Sequence, residues 1–162
     1  MLNDLLAAAD AQQAAGDSAA ALATYTRALR LLTQPDQRPA RARVLFQMAQ
    51  LARMEGEVSR AFTHYDELLP LVAELGDHRA HGLGVAMRGQ LLFMQGDRSA
   101  GIRAMIRGLE ELRRCGATEA EHVTCHTRFF SRRLTRAEFE RCVHRTTEDE
   151  QLRHLLLAAE GC

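Results

Sequence analysis

Glycine followed by an acid recurs every 40 residues, at Gly16-Asp17, Gly56-Glu57 and Gly96-Asp97, and this period constrains the fold more than any other feature of the chain. A second set of breaks falls midway, at Asp36, Gly76 and Gly116. The chain is therefore punctuated every 20 residues as far as position 116. Glycine suits the left-handed turn just past a helix C-terminus, and an acid suits the start of the next helix, where amide protons lack partners. The spacing predicts a helix between successive breaks, so that each 40-residue row is a helical hairpin.

Columns read down the rows keep their chemical type: Ala9/Ala49/Gly89, Ala21/Ala61/Gly101, Leu22/Phe62/Ile102, Tyr25/Tyr65/Met105 and Leu29/Leu69/Leu109. Within a row these positions lie three, four and seven apart, the period of an amphipathic helix, and nothing alternates with period two. Small residues are expected where two helices cross closely and large ones where they fill the space between. Pro35 and Pro39 sit in or beside the longest break, whereas Pro70 falls inside an expected helix and predicts a local kink.

The pattern resembles the tetratricopeptide repeat family, carried by Ala9, Gly16-Asp17, Ala21, Tyr25 and Ala28-Leu29 in row one and by Ala49, Gly56-Glu57, Ala61, Tyr65 and Leu68-Leu69 in row two. Row three keeps Gly89, Gly96-Asp97 and Leu109 but places Gly101, Met105 and Gly108 where the family has Ala, an aromatic and Ala. The 40-residue spacing is similar to a longer variant of the repeat. The resemblance implies an all-α, right-handed superhelical stack of hairpins over residues 1–116. It further implies a noncatalytic adaptor or scaffold role, with a protein or peptide partner held in a concave groove.

After Gly116 the register fails, since Arg136 and Arg145 stand where glycine and an aromatic are due. Residues 117–134 read as one helix, and Thr135/Glu138 and Thr147/Glu150 as two capping boxes starting helices at Arg136 and Glu148. Residues 117–162 are thus expected to form a degenerate fourth hairpin and a closing helix. Leu152, Leu155, Leu156 and Ala159 of that helix would cover the last repeat face.

Composition narrows the function. The 162 residues carry 21 Arg, with no Lys, against 21 acids. Residues 1–80 hold 8 Arg and 10 acids and the remainder 13 and 11, so neither half is a polyanion binder by charge alone. Apolar runs such as Leu5 to Ala9 are far shorter than the roughly 20 residues a membrane span needs. The N-terminus shows no secretory pattern, which reads as cytoplasmic.

Carried over by position, the groove would present Asp10 from row one, Arg43, Phe46, Gln47, Gln50, Arg53 and Met54 from row two, and Gln90, Phe93 and Met94 from row three. Asp10, Gln50 and Gln90 share one column, a ladder suited to a peptide backbone, and the Phe and Met residues offer adaptable apolar contact. Family members that hold acidic C-terminal peptides use Lys and Asn at positions occupied here by Leu6, Asp10, Phe46 and Gln50, which argues against that ligand. A homodimer stays open.

An alternative reading is transition-metal binding by His122, Cys125, His126, Cys142 and His144, since thiolate and imidazole suit zinc and copper. The spacing lacks a Cys-x-x-Cys pair. Arg128, Arg132, Arg133 and Arg136 interleave with Phe129 and Phe130, a pattern that can read anions. Zero net charge, with Glu138 and Glu140 close behind, argues against nucleic acid. No phosphate loop, His-Glu-x-x-His or nucleophile elbow is present, so neither a catalytic residue nor a cofactor is expected.

Overall fold

The computed structural model describes residues 1–158. These residues are all-α, with nine α-helices, one 3-10 turn and no strand among them. The helices are α1 (Leu2–Ala14), α2 (Ser18–Leu31), α3 (Arg38–Met54), α4 (Val58–Glu74), α5 (His78–Met94), α6 (Arg98–Arg114), α7 (Glu119–Ser131), α8 (Arg136–Thr146) and α9 (Glu150–Leu157). Among the described residues none is long and apolar enough to cross a membrane.

The punctuation works as its chemistry requires. Gly16, Gly56, Gly76, Gly96 and Gly116 all adopt positive φ, between 69° and 103°, closing each helix with the left-handed turn that side chains resist. Asp17, Asp77 and Asp97 then cap the next helix, each accepting from a backbone N–H three residues on. Glu57 occupies the equivalent position without a side-chain cap bond. The break at Asp36 is the turn Pro35–Gln37. Helix α4 runs through Pro70 without interruption.

The helices form two compact units, one from Met1 to Leu75 and one beginning at Gly76. In the first, α1 pairs with α2 and α3 with α4, while α2 lies against α3. Its core includes Ala9, Ala21, Leu22, Tyr25, Val44, Met48 and Leu51. Tyr25, Tyr65, Ala21 and Ala61 are all fully buried. Arg38–Glu74 and Arg41–Glu67 ion pairs join α3 to α4.

In the second unit α5 and α6 pack along their whole length. The cause is glycine: a Cβ on Gly108 would lie 2.4 Å from the Gly82 carbonyl oxygen, and one on Gly89 2.8 Å from that of Gly101. Backbones approach there to a distance no side chain permits. Helices α7 and α8 each rest on α6 rather than closing on one another, and α9 lies against both. Leu152 and Leu156 of α9 are buried; Ala159 lies outside the described residues.

The two expected capping boxes had different fates. Thr135 and Glu138 form a complete one at the start of α8. Helix α9 instead starts at Glu150, capped by Asp149. Thr147 is buried and turns away from that role, donating to the Glu110 carboxylate at 3.2 Å while accepting from Asp149 N–H at 3.1 Å. An aspartate two positions closer to the helix supplies the stronger cap.

Candidate functional site

The first unit gathers polar side chains from α1, α2 and α3. Asp10 and Gln13 project from successive turns of α1 towards α3, where Arg43 and Gln47 stand one turn apart. Arg43 Nη1 donates to both Asp10 carboxylate oxygens, at 3.2 and 3.0 Å. Beneath them the buried Tyr25 hydroxyl of α2 donates to Asp10 and lies 3.0 Å from the Gln13 carboxamide. That carboxamide meets Gln47 at 3.2 Å. Burial first, and then the hydrogen bond to Asp10 and its charge, push the Tyr25 phenol above its ordinary range, so it stays a donor.

One turn along α3, Arg53 donates through Nε and Nη2 to the Gln50 carboxamide oxygen, at 3.1 and 2.9 Å. Its guanidinium also stands beside the buried Tyr65 phenol, whose titration is raised by burial and opposed by Arg53. Row two departs from row one at this point: the buried Tyr65 hydroxyl has no hydrogen-bond partner, and Gln50, the residue of the shared column, is bonded to Arg53 instead. Arg43 and Asp10 are exposed, Gln47, Gln50, Arg53 and Phe46 are half-buried, and Met54 is 70% exposed. These side chains form a wet polar face with apolar members at its margin.

The residues expected from row three do not belong to such a face. Gln90 is 2% exposed, and its Nε2 donates to His126 Nδ1 at 2.8 Å. Phe93 is 3% exposed and packs edge-on against Phe130, ring centroids 5.1 Å apart. Both are interior groups of the second unit, so in row three the column does not present the expected groove residues to solvent. A buried carboxamide is stable once an imidazole satisfies it. Met94 alone of the three is exposed, at 59%.

The five residues of the metal alternative are not brought together. His122 and His126 stack with ring centroids 4.1 Å apart, His126 is engaged by Gln90, Cys125 is half-buried in α7 and disulfide-bonded, Cys142 is buried in α8 and His144 is exposed. Among the described residues no three His, Cys, Asp or Glu side chains converge to hold a metal ion.

The arginine and phenylalanine run on α7 divides. Phe130 turns inward to Phe93, whereas Phe129 is 54% exposed, edge-on to Phe130 at 5.6 Å. A cleft of about 360 Å³ opens beside it, lined by Cys125, His126, Arg128, Phe129 and Arg132. The position-by-position reading also puts Gln13 on the row-one groove surface beside Asp10, but it misses Tyr25 as a member of the polar network and His126 as the partner of Gln90. The column spacing marked one end of each bond and nothing marked the other.

Comparison of the chain with protein-family models, with curated proteins and with solved structures gives no match.

Proposed function

We propose that the chain is a noncatalytic protein-interaction module of the tetratricopeptide-repeat type, acting in the cytoplasm, and that the polar face of α1 and α3 holds an extended segment of a protein partner. One observation carries the reading. Asp10, Gln13, Arg43 and Gln47 form, with the buried Tyr25 hydroxyl, a continuous hydrogen-bonded ladder across three helices, and these four side chains of α1 and α3 keep access to solvent. A ladder needed only to satisfy Tyr25 would require Asp10 alone.

Fixing these side chains in advance lowers the ordering cost that binding incurs. Carboxamides such as Gln47 and Gln50 offer both donor and acceptor to a peptide backbone. Phe46 and the exposed thioether of Met54 give apolar contact that adapts to different side chains.

The test is a displayed library of extended eight-residue peptides selected on the full chain. Selected peptides should bind the double variant Arg43→Ala/Gln47→Ala at least about tenfold more weakly, the effect of losing one hot-spot contact. Arg114→Ala, on α6, should change nothing. Peptides that bind the double variant as tightly as the parent would overturn the reading.

A further inference from the structure

In row one the Asp10 carboxylate accepts from the buried Tyr25 hydroxyl of α2 and from Arg43 Nη1 of α3. Forty residues on, Gln50 and Tyr65 hold the positions of Asp10 and Tyr25, and Arg53 supplies the guanidinium. Row two thus keeps the tyrosine and the cation but not the carboxylate. We infer that the bound partner supplies it, the side chain of an internal Asp or Glu of the extended segment docking on Arg53 and Tyr65. This builds on the segment-binding reading of the same face.

Tyr65 is 0% exposed and its hydroxyl has no hydrogen-bond partner, a costly state for a buried polar group. The guanidinium beside it cannot relieve that state, because arginine carries donors only and the hydroxyl proton needs an acceptor. The acceptor at hand, the Gln50 carboxamide oxygen, is taken by Arg53 Nε and Nη2, at 3.1 and 2.9 Å. Arg53 in turn spends these donors on one neutral oxygen and faces no carboxylate among the described residues. One anionic acceptor would serve both groups, as Asp10 serves Tyr25 and Arg43.

A carboxylate displaces a carboxamide from a guanidinium because a hydrogen bond between charged partners is about twice as strong as one between neutral partners. Gln50 and Arg53 are half-buried rather than enclosed, so the exchange needs only rotation of side chains. The released Gln50 carboxamide then offers donor and acceptor to the segment backbone. Tyr65 lies below the surface along which that backbone runs, so the acid that reaches it must be carried on a side-chain stem. The polar face also continues from Gln50 to Gln47 and Arg43 along α3, which a chain can follow and a free anion cannot.

Peptides selected on the full chain from the displayed library would be synthesised with blocked ends. They should carry an internal Asp or Glu, and changing that residue to its amide should weaken binding at least about tenfold. On Arg53→Gln the acid and amide forms should bind within about twofold of each other. Ring resonances of Tyr65, one of two tyrosines in the chain, should move with the acid form and stay in place with the amide form. Gln50→Glu keeps the shape of the side chain and supplies the carboxylate from within. It should raise the melting temperature by about 2 °C or more and remove the advantage of the acid form.

Equal binding by acid and amide forms, an acid dependence that survives Arg53→Gln, or a Gln50→Glu melting temperature at or below that of the parent would each overturn the inference. So would peptides whose internal acid can be exchanged for a free C-terminal carboxylate without loss, since the ligand would then be a chain end. Equal acid and amide binding that still weakens on Arg43→Ala/Gln47→Ala would leave the segment reading standing. An Arg53-dependent acid effect with no loss on that double variant would overturn the segment reading instead and leave the acid site in place.

Discussion

The α3–α4 and α5–α6 hairpins have the same length and the same punctuation, yet they solve the helix crossing differently. In α3–α4 the crossing positions are Ala49 and Ala61, and the space beside them takes the fully buried Tyr65. In α5–α6 the same columns hold Gly89 and Gly101, the backbones close to contact, and Met105 replaces the tyrosine. The alanine solution brings a phenolic hydroxyl into the core, where that of Tyr65 has no hydrogen-bond partner and the Arg53 guanidinium of the first helix stands beside it. The glycine solution has no hydroxyl there, and its column residue Gln90 is taken up by His126 of α7. The first choice produces a polar face. The second produces a dry hairpin to which a further helix can be tied.

The sharpest way to break this comparison is Gly108→Ala. In an open helix the change stabilises by up to about 1 kcal/mol, because alanine is the better helix former. Here the new Cβ meets the Gly82 carbonyl oxygen at 2.4 Å and the Ala86 N at 2.7 Å, both backbone atoms that cannot swing aside. Overpacking should prevail and cost about 2 to 3 kcal/mol, read as a lower midpoint in urea unfolding at unchanged slope. A stabilised variant would show that the two backbones do not meet.

Ala61→Leu probes the other crossing and should cost somewhat less, about 1 to 3 kcal/mol, because alanine contacts leave side chains that can shift. An unchanged melting curve would remove the distinction between the two hairpins.

Tyr25→Phe tests whether the hydroxyl requires its partners. Loss of a hydrogen bond to a charged group should cost about 1.5 kcal/mol or a little more. It should also alter the alkaline limb. The folded phenol titrates above its ordinary value, so its contribution is complete below about pH 10, the unfolded value, and is lost as pH rises beyond it. Replacing Tyr25 should flatten that fall in part, and replacing Tyr65 as well should flatten it further, since burial raises that phenol too.

Much of this architecture was legible because it rests on local chemistry. Glycine at positive φ, aspartate at a helix start and Thr135 facing Glu138 are decided within four residues, so Gly16, Asp97 and the α8 capping box follow from the sequence. Thr135→Ala should accordingly cost about 1 kcal/mol, seen as faster amide exchange in the first turn of α8. What was not legible depends on which residues from distant helices meet. Thr147 reads as a cap by spacing, yet its hydroxyl serves Glu110, 37 positions away. Gln90 and Phe93 stand where a groove residue should, but His126 and Phe130 on α7, beyond the repeat register, convert them to interior groups. A column establishes which face of a helix a residue occupies and leaves open what arrives to cover it.

The smallest expected effect sharpens the comparison at a third column, Thr24/His64/Ala104. Ala104 lies against Gly89 in the glycine hairpin, where an added Cβ on Gly89 would approach it to 2.9 Å. The wider α3–α4 crossing carries an imidazole at the equivalent place. Both ring nitrogens of His64 are buried without a hydrogen-bond partner. Burial, opposed by Glu67 and reinforced by Arg60, pulls its titration below the usual histidine value. In the folded state the ring stays neutral where the unfolded chain already takes a proton, so its contribution is complete above about pH 6.5 and is lost as pH falls below that. Unfolding free energy measured from pH 7.5 to pH 5 should therefore decline less steeply in His64→Leu than in the parent, while the two curves converge in slope above pH 7. Equal slopes across the whole range would mean that water reaches the ring, and the α3–α4 crossing would then be open there rather than packed.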